Sequence, residues 1–198
     1  MNVFKCLAVV AVLACASAFA SPVSFPECPA VGADTTGCEF LVTVTAVSAG
    51  GVATAATVAV TSPVDQGPYD SADDTLVGVL NSSTGTLSTL PLSSPLTIFG
   101  FDGDGACTFI TCTGATDPTG YGPKGVTFSG INAATTSGNV VYSPGLAPGG
   151  SGWFSLEDAL TVSQIIVGTP EPSTVGLVGL GLLAGIVVSV RRRRRVTE

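Results

Sequence analysis

The amino-acid sequence predicts an all-β fold: a single β-sandwich or jelly-roll-like domain between a removable leader and one C-terminal transmembrane helix. Three observations predict it. Eight short runs rich in Val, Thr, Ile and Leu recur between residues 40 and 167, separated by Gly, Pro, Asn, Asp and Ser. No convincing amphipathic helix interrupts them. Uncharged hydrophobic segments stand near both ends, and the roughly 150 residues between them are the size of one domain with one core.

In order, the predicted strands are 40–45, 52–61, 75–81, 84–90, 96–101, 125–129, 139–143 and 161–167. The one helical hint is 155–160 (SLEDAL), about a turn and a half with Ser155 as its candidate cap.

Charge narrows the function. The chain carries a net charge of −7, yet five of its seven basic residues are Arg191 to Arg195, and residues 21–169 hold twelve acids against Lys124 alone. Such a surface repels phosphate backbones, so no nucleic-acid partner is expected; divalent cations or basic partners suit it better. The chain has no histidine, and residues 21–169 have no arginine. The commonest general base and the bidentate oxyanion clamp are therefore missing, and the domain is expected not to be an enzyme. A carboxylate-only glycosidase is the exception that chemistry allows, with Asp70, Asp73, Asp102 or Asp104 as its acids. No cofactor is expected.

Residues 1–20 read as a signal peptide. Lys5 supplies the positive start, 6–16 (CLAVVAVLACA) is too short to span a bilayer, and Ala18-Phe19-Ala20 offers small residues at a cleavage site, so the mature chain begins at Ser21. Val12-Leu13-Ala14-Cys15 also resembles a lipobox, the competing reading. Removing Cys6 and Cys15 leaves four cysteines in an oxidising compartment: Cys28, Cys38, Cys107 and Cys112. Three pairings are possible, and closeness in sequence favours Cys28 with Cys38 and Cys107 with Cys112. A zinc site does not fit, since no pair is spaced C-x-x-C and no histidine completes a tetrahedron.

Residues 170–198 read as a sorting anchor. The uncharged stretch 174–190 makes a helix of about 26 Å, enough for the hydrocarbon core. Arg191, Arg192, Arg193, Arg194 and Arg195 follow and hold the C-terminus in the cytoplasm as a membrane stop signal. Gly179-Leu180-Gly181-Leu182-Leu183-Ala184 imitates a dinucleotide fingerprint, but no strand precedes it. Gly181 and Gly185 form a GxxxG pair, though glycines also simply soften such a segment. Ahead of the helix, Pro170 and Pro172 keep Pro170-Glu171-Pro172-Ser173 extended and without ladder hydrogen bonds, as a protease substrate must be.

This order of motif, helix and arginine cluster resembles the PEP-CTERM proteins, whose tail is also catalogued on some ice-binding proteins. The resemblance rests on Pro170, Glu171 and Pro172, on 174–190, and on Arg191 to Arg195. It implies that exosortase, a membrane-embedded transpeptidase-like enzyme, cleaves near the motif. The chain would then pass through signal peptidase and the secretion machinery, rest in the inner membrane, and reach the cell surface or exopolysaccharide matrix. The tail is a delivery device and leaves the cargo's role open. Segments such as DDTLVGVLNSS and GVTFSGI look like cargo domains of that family, which supports the fold class only.

Within the domain, Asp102-Gly103-Asp104-Gly105 could present carboxylates to Ca²⁺ in a tight turn, helped by Asp70, Asp73 and Asp74. It is not an EF-hand, because Thr113 stands where the bidentate glutamate belongs; a plain Asp-Gly turn between strands is the preferred reading. Trp153-Phe154 could stack on sugars, but such a pair is more often core. Thr43-Val44-Thr45 has no repeat to extend it into an ice-binding face. The expected function is a structural surface or matrix component, with a Ca²⁺-dependent or carbohydrate-binding module as the alternative.

Overall fold

The computed structural model describes residues 25–61, 68–115 and 117–168. The signal peptide, Ser21, Pro170, Glu171, Pro172, the helix predicted over 174–190 and Arg191 to Arg195 lie outside the described residues. Among the described residues no helix is long and apolar enough to cross a membrane.

Two four-stranded sheets form the domain. The first contains β1 (Phe40–Val47), β2 (Ala53–Val60), β3 (Thr75–Asn81) and β7 (Ser151–Leu156), in the order β2-β1-β3-β7. The second contains β4 (Leu87–Ser93), β5 (Val126–Ser129), β6 (Ser137–Leu146) and β8 (Ile166–Val167), in the order β5-β6-β4-β8. Among the described residues, helix is confined to α1 (Ala106–Phe109) and a 3₁₀ turn at Val162–Gln164.

Alternation explains β1. Phe40, Val42 and Val44 point into the core while Leu41 and Thr43 point away. β1 and β2 pair antiparallel with Phe40 opposite Val60, whereas β1 and β3 run parallel with Phe40 opposite Val77. A parallel neighbour cannot follow through a tight hairpin, and β2 intervenes in sequence between β1 and β3.

One core takes side chains from both sheets: Phe40, Val42, Val77, Val79 and Phe154 from the first, Leu90, Leu92, Val140 and Tyr142 from the second. Full burial of each such aliphatic or aromatic side chain contributes about 1.5–3 kcal/mol. Central β3 is buried on both faces. Val77 and Val79 enter the main core, and Leu76 enters a smaller one with Phe25, Cys28, Val31, Cys38, Tyr69 and Ala106. The smaller core holds one of the two disulfides among the described residues, Cys28–Cys38; the other, Cys107–Cys112, spans the end of α1.

The structure corrects several predicted elements. Residues 96–101 form no strand: Ile98 and Phe99 are buried in the main core, but the backbone turns, with Gly100 N–H donating to the Thr97 carbonyl and Phe99 N–H to that of Thr135. An apolar run therefore served packing without laddering. The strand predicted over 84–90 starts later, at Leu87, because Asn81, Ser83 and Gly85 close a turn on themselves. The helical hint at 155–160 fails, since Ser155 and Leu156 finish β7 in register with Leu76 and Thr75. The run 161–167 divides into the 3₁₀ turn, capped reciprocally by Thr161 and Gln164, and the two-residue β8.

Candidate functional site

The acids predicted for a cation come together at one end of β7, joined by Glu157 just beyond it. Three loops bring them there. Asp70 Oδ1 accepts the N–H groups of Ala72, Asp73 and Asp74, which folds residues 70–74 around its carboxylate. Asp102 and Asp104 stand on a loop packed so tightly against residues 120–121 that a Cβ on Gly105 would lie 2.3 Å from the Gly120 carbonyl carbon. Asp117 Oδ2 accepts the N–H groups of Tyr121 and Gly122 and the Thr119 hydroxyl, fixing the third loop. Phe101 stacks on Tyr121 at 4.4 Å, and Ser155 N–H donates to the Tyr121 carbonyl.

The Tyr121 hydroxyl is the hub. It lies 2.6 Å from Glu157 Oε2, 2.8 Å from Asp104 Oδ1, 3.2 Å from Asp74 Oδ1 and 3.4 Å from Asp102 Oδ1. One phenol has one proton to donate, so it cannot satisfy four carboxylates. Asp74, only 1% exposed, also accepts from the Tyr69 hydroxyl at 2.5 Å.

Burial, hydrogen bonding and crowded like charges move their titrations. Burial pushes Asp74 up to about 7, with Asp104, Glu157 and Asp70 adding to it against the hydrogen bond from Tyr69. Burial raises Glu157 as well, with Asp102 and Asp73 adding, although the Tyr121 hydrogen bond opposes. Asp102 is held low chiefly by a hydrogen bond from Asp104, and Asp104 is raised by that same bond. Burial raises both Tyr69 and Tyr121, so both phenols stay protonated.

Oxygens within three sets, Asp70 with Asp74 and Asp104, Asp73 with Asp74 and Glu157, and Asp102 with Asp104 and Glu157, lie within 4.8 Å of one another. Ligands on opposite sides of a Ca²⁺ are about 4.6–5.2 Å apart, so each set fits a hard-cation sphere of oxygen donors. The sole Lys or Arg among the described residues is Lys124, which lines a groove with no acidic wall.

A second acidic feature is internal. Glu39 is 3% exposed, and its Oε1 has no hydrogen-bond partner among the described residues. Burial first, then Asp34, Asp70 and Asp74, push it up to about 9. It is therefore protonated at neutral pH.

Trp153 and Phe154 part company. Phe154 is fully buried in the main core, while Trp153, on the opposite face of β7, is half-buried against the smaller core and lines that groove, of about 680 Å³. Sequence reasoning assembled Asp70, Asp73, Asp74, Asp102 and Asp104 but missed Glu157, Tyr69 and Tyr121. Glu157 lay inside the run 155–160 read as a helical hint, and the tyrosines carried no local signal.

The described residues thus define a two-sheet β domain with a crowded acidic site. Residues 169–194 match the PEP-CTERM protein-sorting motif, which marks the chain as an exported, exosortase-sorted protein of the cell surface. No curated protein and no solved structure matches the chain.

Proposed function

We propose that this chain is a non-enzymatic structural component of the bacterial cell surface or its exopolysaccharide matrix, its two sheets forming a β-sandwich. The sorting-motif match at 169–194 carries this reading. The signal peptide ends at Ala20, the helix 174–190 and Arg191 to Arg195 hold the precursor in the inner membrane, and exosortase removes the tail near Pro170-Glu171-Pro172. Two features support a non-catalytic role. The domain has no histidine to act as a general base, and it has no arginine to clamp an oxyanion.

The test separates insertion from sorting. Pro170→Ala with Pro172→Ala is expected to leave membrane insertion intact but to trap the full-length chain in the inner membrane. Immunoblots of cell fractions, with an epitope after Ser21, read this out in strains with and without exosortase. Equal processing of variant and wild type would sink the motif's assigned role.

A second reading is favoured by the gathering of six carboxylates at one end of β7, four of them on the Tyr121 hydroxyl: the domain takes up Ca²⁺ there. Asp70, Asp73, Asp74, Asp102, Asp104 and Glu157 would hold the ion, and its charge would replace the proton that burial favours on Asp74. Binding should therefore release protons, seen as a buffer-dependent heat in calorimetric Ca²⁺ titration at pH 7. Buffer-independent heat, or none, would count against it.

A further inference from the structure

The groove beside Trp153 differs from the rest of the domain in both shape and charge. It lies where the first half of β7 meets the end of β6 and the loop ahead of β5, and its volume falls within the roughly 300–1,000 Å³ of ligand clefts. Lys124 is its one charged lining residue, in a stretch with twelve acids. Ile110, Pro144, Leu146 and Trp153 give it apolar walls.

A row of backbone polar groups is left for a ligand. β7 is an edge strand, with β3 on one side only. Ser155 N–H points away from β3 to the Tyr121 carbonyl, and strand periodicity sends the N–H and C=O of Trp153 and Ser151 the same way. Tyr142 lines the same groove, and its buried hydroxyl has no hydrogen-bond partner among the described residues.

We infer that this groove binds a carboxylate-bearing saccharide, a uronic-acid unit of an acidic polysaccharide. The sugar's apolar face would lie on the Trp153 indole, its carboxylate on the Lys124 ammonium, and its hydroxyls on the free edge of β7. Only Ser151 and Trp153 offer outward edge groups before Ser155 is engaged, too short a ladder for an added peptide strand. The choice of a glycan rests on reading the chain as a surface protein; the binding measurement does not depend on processing, so the two can fail separately.

Trp153 is the chain's sole tryptophan, so its emission reports the groove directly. Full-length protein in detergent is titrated with oligogalacturonate, with cellohexaose as the neutral comparison, in EDTA to silence the carboxylate cluster. The expected result is a saturable change in Trp153 emission, with oligogalacturonate bound about tenfold more tightly than cellohexaose. Lys124→Gln, at an exposed position, should erase that preference. No emission change with oligogalacturonate, or an unchanged preference in Lys124→Gln, overturns the proposal. A response to a heptaglutamate peptide but not to oligogalacturonate also overturns it, in favour of strand addition at β7.

Discussion

Strand β7 carries two surfaces of opposite character. At its C-terminal end six acids crowd together, four of them on the Tyr121 hydroxyl, with no basic residue among them; at its N-terminal end a groove contains Lys124 and no acid. The difference teaches where charge can be put when a domain has a single cation. The acidic end must be neutralised from outside, by protons or by a metal, whereas the groove can itself neutralise an anion.

The largest effect that would break this comparison is thermal. Saturating Ca²⁺ at about a hundred times its dissociation constant would stabilise the fold by about 2.7 kcal/mol, or roughly 5–10 °C in melting temperature. Asp104→Asn with Glu157→Gln should abolish the shift, and Lys124→Gln should leave it whole. Scanning calorimetry with Ca²⁺ and with EDTA checks both. If the acidic double variant keeps the shift, the ion binds elsewhere and the contrast between the two ends is lost.

A smaller effect is expected from pH. Asp74 rises from an ordinary 3.8 to about 7, and Glu39, facing Asp34, Asp70 and Asp74, from 4.5 to about 9. Between those limits the native state keeps protons that the unfolded chain has released, so stability falls as pH rises. In EDTA the fold should be most stable near pH 4–5, weaken up to about 7 through both groups, and weaken further to about 9 through Glu39. Glu39→Gln should remove the part above pH 7, and Ca²⁺ should flatten only the part due to Asp74. Urea melts at pH 5, 7 and 9 would show it; a stability that rises from pH 5 to 9 would refute the assignment of buried, protonated carboxyls.

The smallest effect sharpens the other end. Tyr142→Phe deletes a hydroxyl with no hydrogen-bond partner among the described residues, so it should leave stability unchanged or raise it by about 1 kcal/mol. A loss above about 1 kcal/mol in urea melts would mean the hydroxyl has a partner in solution.

How much of this was legible depended on whether the signal was local. The run 75–81 reads as a strand because its β-branched and aliphatic residues all pack, and the observed β3 has the same bounds. Ile98 and Phe99 show the limit: they are as apolar as any strand, but long-range packing rather than a ladder buries them, and composition cannot tell these apart. Likewise Asp102 and Asp104 stand out as an Asp-Gly turn, while Tyr121 and Glu157 join them only through loops that Asp117 and Gly105 hold in place. The tail is the opposite case. Its signal lies in residue order alone, and the match at 169–194 falls where the proline motif, apolar run and arginines stand in sequence.

The central claim is that the chain is delivered to the surface and parted from its tail. Its most direct test is the intact mass of the form recovered from the cell surface. The expected mass corresponds to a chain that starts at Ser21, ends near Pro172 and lacks Arg191 to Arg195, and this form should disappear in cells without exosortase. A surface form that retains Arg191 to Arg195, or whose mass is the same with and without exosortase, would contradict it.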